Sequence, residues 1–411
     1  MKIHDFVDEG LGHLSYLIDV GHGIVALVDP PRFPTVHEAL AAELGLRIEW
    51  TFDTHSHADY VTGSPGVAAR LGATFVGPAA SHLATPHRPL SDGEFIELGP
   101  GLHVFAITTA GHTPDHHAYL IQQFGDPVAL FTGGSLMVGA IGRTDLCGPE
   151  RADELAHDMF RSLRRFDALP DDLAVYPTHG AGSFCSAPGS SQRTTTLGQE
   201  RVTNSLFAST DESEFVARLL GGFGTFPTYF ARLPELNRLG PARHDTVPDL
   251  ALLDAERVQA HLASGGAVVD ARPVKSFASG HIAGSMSNTL RPAFASWLGW
   301  LVTAGQPIVF VLDEDQDRSE VVRQSLDVGH ERLVGELAGG IDAWAASGRP
   351  LATIELVAPT TLNRRIIDVR QANEYASGHL PRAVNVELGS ITTSELPVGT
   401  LMTCADTASA P

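Results

Sequence analysis

One short segment constrains this chain more than any other, because two histidines and a carboxylate directly follow an apolar run. Residues 48–53 predict a strand, and His55, His57 and Asp59 come immediately after it. A loop with this spacing at a strand end aims several ligands at one point, and imidazole and carboxylate suit zinc, iron or manganese. The alternative is a polar loop with two incidental histidines. The sequence therefore predicts a metal site at the end of this strand.

Two further isolated histidines also follow apolar strands. His112 comes after the strand predicted over residues 102–107, and His179 after a later one. We expect both to be metal ligands. His116 and His117 are weaker candidates. Because side chains alternate across a strand, these two face opposite sides, and at most one of them points at the site.

Composition and charge limit the class of protein. The 411 residues, 43% hydrophobic and 18% charged, suffice for two or three globular domains of about 100–200 residues each. Acids outnumber bases by 48 to 28, which gives a net charge of −20. Such a surface repels nucleic acid and anionic membranes, so we exclude both as main partners. No apolar run of about 18 residues occurs, so we expect no membrane span.

The cysteines and the N-terminus indicate the compartment. Cys147, Cys185 and Cys404 are the three cysteines, an odd and sparse set. This argues against a disulfide framework and predicts a reducing, cytoplasmic environment. The N-terminus has no basic and then apolar leader, so we expect no signal peptide.

Five motifs, in order along residues 54–180, together resemble a known family. They read THSHADY, TAGHTPD, FTGGSL, GRTD and YPTHG. This set is similar to the metallo-β-lactamase fold, and more narrowly to its persulfide dioxygenase branch, which is related to glyoxalase II. The resemblance implies an αββα sandwich with the metal at the strand ends. It also implies one iron in the dioxygenases and two metals in glyoxalase II.

Two positions depart from the family. The family loop ends in a histidine that helps to bind a second metal, and here that position is Tyr60, which argues against a binuclear hydrolase. The family also has an aspartate ligand where this chain has Gly134. Either His57 completes the metal shell, or Asp59 or Asp145 replaces the missing carboxylate, or the metal binds weakly.

Several residues around these motifs have an open role. Arg143 and Asp145 of GRTD form either an internal salt bridge or, as the resemblance implies, part of the binding site for a glutathione-like thiol. Asp59 and Tyr60 are candidate catalytic residues. Cys185 is near His179 in the chain but is interpreted as a bystander.

The C-terminal part contains an internal repeat. After a predicted first domain over residues 1–240 and a linker at 241–249, the pattern Asp-x-Arg followed by Gly-His occurs at Asp270 and again at Asp368. Both copies resemble the rhodanese domain. We predict one rhodanese-like α/β domain over residues 250–352 and a partial second one over 356–411.

The two copies differ at the position of the rhodanese nucleophile. That chemistry needs a cysteine in a loop after a central strand. The first copy has residues 313–318 there, with four acids and no cysteine, so we predict that it is catalytically silent. The second copy has Cys404, a candidate sulfur carrier or a buried strand-end cysteine. Ser409 replaces the family arginine and the chain stops at Pro411, so we expect an incomplete domain.

This domain order resembles bacterial fusions of a persulfide dioxygenase with a sulfurtransferase. The resemblance implies oxidation of a low-molecular-weight thiol persulfide, such as glutathione persulfide, by O2 to sulfite or thiosulfate in sulfide detoxification. The implied cofactor is Fe(II), with zinc as the alternative. We expect only small-molecule partners, and a homo-oligomer. The rivals are a thioester hydrolase of the glyoxalase II type and a metal-free sulfur-carrier scaffold.

Overall fold

Two six-stranded sheets form the first part of the chain in this computed structural model, which describes residues 1–180, 182–185, 192–356, 366–387, 390 and 401–403. The first sheet has its strands in sequence order: β1 (Lys2–Asp8), β2 (His13–Gly21), β3 (Ile24–Val28), β4 (Arg47–Phe52), β5 (Thr74–Pro78) and β6 (Arg88–Leu90). The following strands are β7 (Phe95–Gly99), β8 (Leu102–Thr108), β9 (His117–Gln123), β10 (Asp126–Gly133), β11 (Leu136–Met137), β12 (Ala140–Ile141), β13 (Ala174–Pro177) and β14 (Thr195–Thr196). The second sheet has the order β14-β13-β10-β9-β8-β7, and β11 and β12 form a separate hairpin.

The two sheets pack face to face, and alternation along the strands decides which side chains lie between them. In β2, Tyr16 points into the core between the sheets, whereas Leu17 points to the opposite face. The aromatic rings of the core meet edge to face: the ring of Tyr16 lies 5.2 Å from that of Phe131, and the ring of Phe52 lies 5.3 Å from that of Tyr119. Both faces of the central strands are therefore buried.

Helices cover the outer faces of the sandwich. They are α1 (Thr35–Glu43), α2 (Ser64–Leu71), α3 (Ala152–Arg164), α4 (Leu197–Thr203) and α5 (Glu212–Leu220), and α6 (Leu233–Leu239) follows them. Ala41 of α1 and Val67 of α2 pack on the first sheet, and Met159 of α3 and Phe215 of α5 pack on the second. This is the αββα arrangement that the motifs predict.

A parallel sheet with helices on both faces forms the next part of the chain. Its elements are β15 (Leu252–Leu253), α7 (Ala255–Ala263), β16 (Ala267–Asp270), α8 (Val274–Ser279), β17 (Met286–Ser287), α9 (Phe294–Leu301), β18 (Ile308–Val311), α10 (Arg318–Asp327), β19 (Leu333–Leu337) and α11 (Gly340–Ala346). The strand order is β15-β19-β18-β16-β17. A smaller parallel sheet of order β21-β20-β22 comes last, with β20 (Ile366–Asp368), α12 (Ala372–Ser377), β21 (Ala383–Asn385) and β22 (Leu401–Thr403). Among the described helices, none has both the length and the apolar character needed to cross a bilayer.

The repeat has the same local structure in both copies. Arg272 donates two hydrogen bonds to the carboxylate of Asp270, and Arg370 does the same with Asp368. Each guanidinium also donates to the carbonyl of the glycine in the Gly-His step. The histidine of that step stacks on an aromatic ring of the preceding helix, at 3.9 and 3.8 Å between ring centroids. The Asp-x-Arg and Gly-His pattern therefore stabilises the local structure of this α/β unit.

The loop at the nucleophile position of the first copy is closed by its own side chains. Arg318 donates to the carbonyl oxygens of Asp313, Glu314 and Gln316. The side chain of Gln316 accepts from the Asp313 backbone N–H and donates to Ala271. The guanidinium thus occupies the loop, which contains no thiol.

A buried arginine joins the sandwich to the first rhodanese-like unit. Arg32, which follows β3, donates to the carbonyl oxygens of Leu326 and Ala242 at 2.7 and 2.8 Å. It also lies 2.7 Å from a carboxylate oxygen of Glu331. Its side chain is 4% exposed, so these contacts are shielded from water.

Replacing Arg32 by methionine is expected to lower the free energy of unfolding by about 3 kcal/mol, because the buried carbonyl of Leu326, the part-buried carbonyl of Ala242 and the Glu331 carboxylate lose their donor. Urea denaturation measures this loss. Arg47→Met is the matched control, because the Arg47 side chain is 72% exposed and forms a surface ion pair with Glu49. Its effect should stay below about 1 kcal/mol. Equal effects of the two changes would contradict a role for Arg32 in joining the units.

Candidate metal centre

Three strands deliver the predicted histidines to one edge of the sandwich. His55 and His57 lie in the loop after β4, His112 lies after β8, and His179 follows β13, next to the end of β10. All four side chains are at most 2% exposed. The ring centroids of His55 and His112 are 5.0 Å apart, and those of His112 and His179 are 5.4 Å apart. The structure therefore brings together all four predicted metal ligands.

Many nitrogen and oxygen atoms of this cluster that could bind a metal lack a hydrogen-bond partner. They are Nε2 of His55, Nδ1 of His57, Nε2 of His112, Nε2 of His179 and one carboxylate oxygen of Asp59, whose other oxygen faces Nδ1 of His179 at 3.1 Å. A buried polar atom without a partner costs about 1–3 kcal/mol, so a folded protein does not leave five together without a compensating ligand. Nitrogen and carboxylate donors of this kind suit a divalent transition metal. The residues present fit a metal ion.

The other ring nitrogens hold the imidazoles in place. Nδ1 of His55 is 2.9 Å from the hydroxyl of Thr54, and Nδ1 of His112 is 2.8 Å from the carbonyl oxygen of Arg143. Since a carbonyl oxygen only accepts, Nδ1 of His112 carries the proton and Nε2 has a free lone pair. Partners of this type orient metal-binding histidines in proteins.

Asp29 organises the site and was missed by the sequence analysis. Its carboxylate accepts from the backbone N–H of Thr54 at 2.7 Å and from the hydroxyls of Thr54 and Thr178, and it lies 3.1 Å from Nε2 of His57. Burial opposes its ionisation, but His57 and these donors hold the pKa of the Asp29 carboxyl below its ordinary value. Asp53, the other carboxylate beside His57, accepts from two hydroxyl groups, and burial raises its pKa to about 7. The only sequence signal for Asp29 was a carboxylate at the end of a buried strand.

The possible metal-binding atoms form three overlapping groups, and in each group they lie within 4.8 Å of one another. His55, His57 and His179 form the first group, and His112, His179 and Cys185 form the second. The third group consists of Asp29, Asp53 and His57. His55 and His112 thus belong to different groups. Cys185, interpreted from the sequence as a bystander, is fully buried within the second group.

Asp59 faces His179. One of its carboxylate oxygens is 3.1 Å from Nδ1 of His179. Burial works against ionisation, but the neighbouring His179 ring lowers the pKa of the Asp59 carboxyl below its ordinary value. Asp59 thus lies within reach of the clustered nitrogens, and its role as a ligand or as a catalytic residue stays a prediction.

Tyr60 turns its hydroxyl away from the clustered donors. The hydroxyl donates to the backbone carbonyl of Asp29 at 3.2 Å. The ring stacks on His13 at 3.8 Å and lies 4.5 Å from the ring of His57. This geometry gives Tyr60 a packing role, and its predicted catalytic role receives no support from the position of the hydroxyl group.

Gly134 leaves room for a histidine ring. A Cβ atom added to Gly134 would lie only 2.3 Å from Cδ2 of His112. The backbone N–H of Gly134 donates to Nε2 of His116 at 2.8 Å, and Nδ1 of His116 is 2.7 Å from the Thr109 hydroxyl. His116 therefore has no free nitrogen, and both nitrogens of His117 also have partners. The ring of His112 occupies the space in which a carboxylate side chain at position 134 would begin.

Arg143 and Asp145 form the internal salt bridge, one of the two alternatives raised from the sequence. Two guanidinium nitrogens of Arg143 bind the Asp145 carboxylate at 2.6 and 2.8 Å. Further N–H groups donate to the carbonyl oxygens of Phe184 and Gly224. The Arg143 side chain is 4% exposed and its guanidinium lies 4.3 Å from the ring centroid of Phe226. These contacts explain Arg143 without a bound thiol. Asp145 is engaged in the same bridge and does not replace the missing carboxylate.

Cys404 lies outside the described residues.

Comparison with curated proteins relates the first part of the chain to hydrolases. Hydroxyacylglutathione hydrolase from Brucella anthropi is 30% identical over 181 residues, which is 44% of this chain and 65% of that protein. The first relatives are thus matched over less than two thirds of their length. The enzyme of the same name from Methylobacterium sp. strain 4-46 is 31% identical over 229 residues, which is 49% of this chain and 84% of that protein.

Comparison with solved structures extends the likeness. A metallo-beta-lactamase from Staphylococcus aureus has a TM-score of 0.72 at 26% identity, over 82% of this chain and 98% of that chain. ETHE1 from Myxococcus xanthus has a TM-score of 0.50 at 28% identity, over 58% of this chain and 98% of that chain. The family of the rhodanese-like domain matches residues 254–347 and 355–408. The chain belongs to the metallo-β-lactamase-fold family that includes the hydroxyacylglutathione hydrolases, and it carries a rhodanese-like part at its C-terminal side.

Proposed function

We propose that the protein is an iron-dependent persulfide dioxygenase with an attached sulfurtransferase part. Its substrate is a low-molecular-weight thiol persulfide, such as glutathione persulfide. One O2 and one water convert the terminal sulfur to sulfite, with release of the thiol and two protons. The sulfane sulfur loses four electrons, which O2 accepts. Cys404, carrying a sulfane sulfur as a persulfide, transfers it to sulfite and gives thiosulfate.

The observation that carries this proposal is the environment of Tyr60. The resemblance implies that a second metal needs a histidine at this position, and here a phenol donates to the backbone of Asp29. This favours a single metal over the two-metal centre of a hydrolase. The likeness of the first part to ETHE1 and the rhodanese-like part also favour sulfur chemistry.

The clustered residues have distinct roles in the proposed reaction. When bound, the metal supplies a Lewis-acidic centre with open positions for a sulfur ligand and for O2. His55, His57, His112 and His179 offer nitrogens to it. The carboxylate oxygen of Asp59 that does not face His179 has no hydrogen-bond partner, so it can accept the S–H proton of the persulfide.

A cavity beside the cluster is a suitable place for the thiol part of the substrate. It measures about 350 Å³ and lies between the sandwich and the last repeat. Phe184 and Thr225 line one side, and Gln371 and Glu387 line the other. Gln371 and Glu387 hydrogen-bond to Thr225, which closes this wall. The volume falls in the range of small-molecule sites, about 300–1,000 Å³.

The second candidate is a metal-dependent thioester hydrolase of the hydroxyacylglutathione type. The names of the curated relatives favour it, as do the two adjacent donor groups that share His179, because such a pair can hold two metals. In that case these groups would hold metal ions, which would supply an activated water for hydrolysis of the thioester.

Oxygen uptake separates the two candidates. Protein loaded anaerobically with iron should consume one O2 for each glutathione persulfide added and release sulfite, and a chelator should abolish the uptake. S-lactoylglutathione serves as the thioester in a parallel assay with iron or zinc. Thioester cleavage without oxygen uptake would establish the second candidate. Protein that retains no metal under any loading would favour the scaffold.

A further inference from the structure

The metal cluster has histidines but lacks the carboxylate that the family places at position 134. Gly134 has no side chain, and the ring of His112 fills the space beside it. We propose that Cys185 supplies the missing anionic ligand, so that its sulfur and the Nε2 atoms of His112 and His179 bind one divalent metal. This proposal concerns the ligand set and does not depend on which reaction the metal serves.

The distances are those of a site that closes around an ion. The donor atoms of His112, His179 and Cys185 lie within 4.8 Å of one another, and all three side chains are fully buried. Zinc–nitrogen and zinc–sulfur bonds of about 2.0 and 2.3 Å in a tetrahedral shell place such ligands about 3.5 Å apart. Side-chain shifts of about 1 Å are therefore sufficient to complete the shell.

The histidines present free lone pairs to this position. Nε2 of His112 has no hydrogen-bond partner, and its Nδ1 proton is fixed by the carbonyl of Arg143. His179 has no hydrogen-bond partner at Nε2 either. Two fully buried, unsatisfied nitrogens thus border the same space as the Cys185 sulfur. A thiol alone does not satisfy both of them, whereas a metal ion does.

Arg143 anchors both sides of the proposed site. Its carbonyl oxygen holds His112, its backbone N–H donates to the carbonyl of Cys185 at 2.9 Å, and its guanidinium donates to the carbonyl of Phe184 at 3.1 Å. The Cys185 N–H in turn donates to the Ser183 hydroxyl at 3.1 Å. The segment that carries Cys185 is therefore fixed to the residue that orients His112. This gives the buried Arg143–Asp145 bridge a positioning role.

The chemistry of the donor set favours a borderline-soft metal. Two neutral imidazoles and a thiolate carry one negative charge, as two imidazoles and a carboxylate do. Thiolate shifts the preference toward zinc and related ions and away from harder ions such as Mn²⁺ or Mg²⁺. Burial raises the pKa of the Cys185 thiol, so the free protein keeps it protonated and metal binding releases the proton.

Cobalt substitution tests the proposal. Protein stripped with a chelator and reloaded with Co²⁺ should show a thiolate-to-cobalt charge-transfer band in the near ultraviolet. Cys185→Ser should remove this band. A double variant, Cys147→Ser with Cys404→Ser, leaves Cys185 as the only thiol and should keep it. A wild-type protein that binds cobalt without the band, or that binds no cobalt, would overturn the proposal, as would a band that survives in Cys185→Ser.

A measurement on the unmodified chain covers the case in which Cys185→Ser does not fold. X-ray absorption of zinc-loaded wild-type protein should show one sulfur at about 2.3 Å with nitrogen neighbours. A shell of nitrogen and oxygen alone would rule out Cys185 as a ligand. Both readouts report the ligands directly, so a failure of oxygen uptake would leave them unaffected.

Discussion

Replacement of His112 by alanine is expected to reduce metal-dependent oxygen uptake at least about 100-fold and to lower the bound iron in the same preparation. His112 offers a free Nε2 that the carbonyl of Arg143 holds in one orientation. Loss of a partner that only orients a ligand already costs about 10–100-fold in metal affinity or activity. Loss of the ligand itself should cost more. Elemental analysis and an oxygen electrode provide the two readouts.

His117→Gln is the matched control for this change. His117 is also a buried histidine, at the start of the next strand β9, but its nitrogens bond to the hydroxyl of Thr108 and the carbonyl of Asp115. Glutamine can keep one of these bonds, so we expect near wild-type iron and uptake. If His112→Ala retained both while His117→Gln lost them, the assignment of the cluster would be wrong.

The motifs and the family resemblance that they carry were enough to predict the fold, and local sequence placed the four histidines at strand ends. Each ligand follows a strand with a strong apolar pattern, and in a sandwich of this kind such strand ends meet at one edge. The structure of the Asp-x-Arg and Gly-His repeat could also be predicted from the sequence, because its hydrogen bonds join residues 2 or 8 positions apart. Where a pattern and its contacts lie within one element and its flanking loop, the sequence predicts the structure.

The parts that were missed depend on contacts between distant segments. Asp29 acquires its role from Thr54 and Thr178, which are 25 and 149 positions away. Cys185 enters the cluster because its carbonyl accepts from the backbone of Arg143. None of these pairings has a periodic signal in the chain. The sequence also showed that Gly134 could not bind a metal, but it did not show that the ring of His112 fills the space.

Restoring the family carboxylate through Gly134→Asp is expected to damage the site. The new Cβ would lie 2.3 Å from Cδ2 and 2.7 Å from Nε2 of His112. The ring must therefore leave the carbonyl of Arg143. We expect a loss of about 3 kcal/mol in the free energy of unfolding and less bound metal, since overpacking costs about 1–3 kcal/mol and an unpaired buried carboxylate adds to it.

Gly134→Ala separates the steric effect from the charge. It adds the same Cβ atom without a carboxylate, so it should also lower stability and metal content. Gly66→Asp is the matched control, because a Cβ at Gly66 meets nothing within 4 Å and position 66 lies in the first turn of α2, where an acid is tolerated. Urea denaturation and elemental analysis of the three variants decide the matter. If Gly134→Asp bound iron more tightly than the wild type at unchanged stability, the expected clash would be wrong. Such a result would mean that the ring of His112 can move aside for a carboxylate. The chain would then accept the family ligand at position 134.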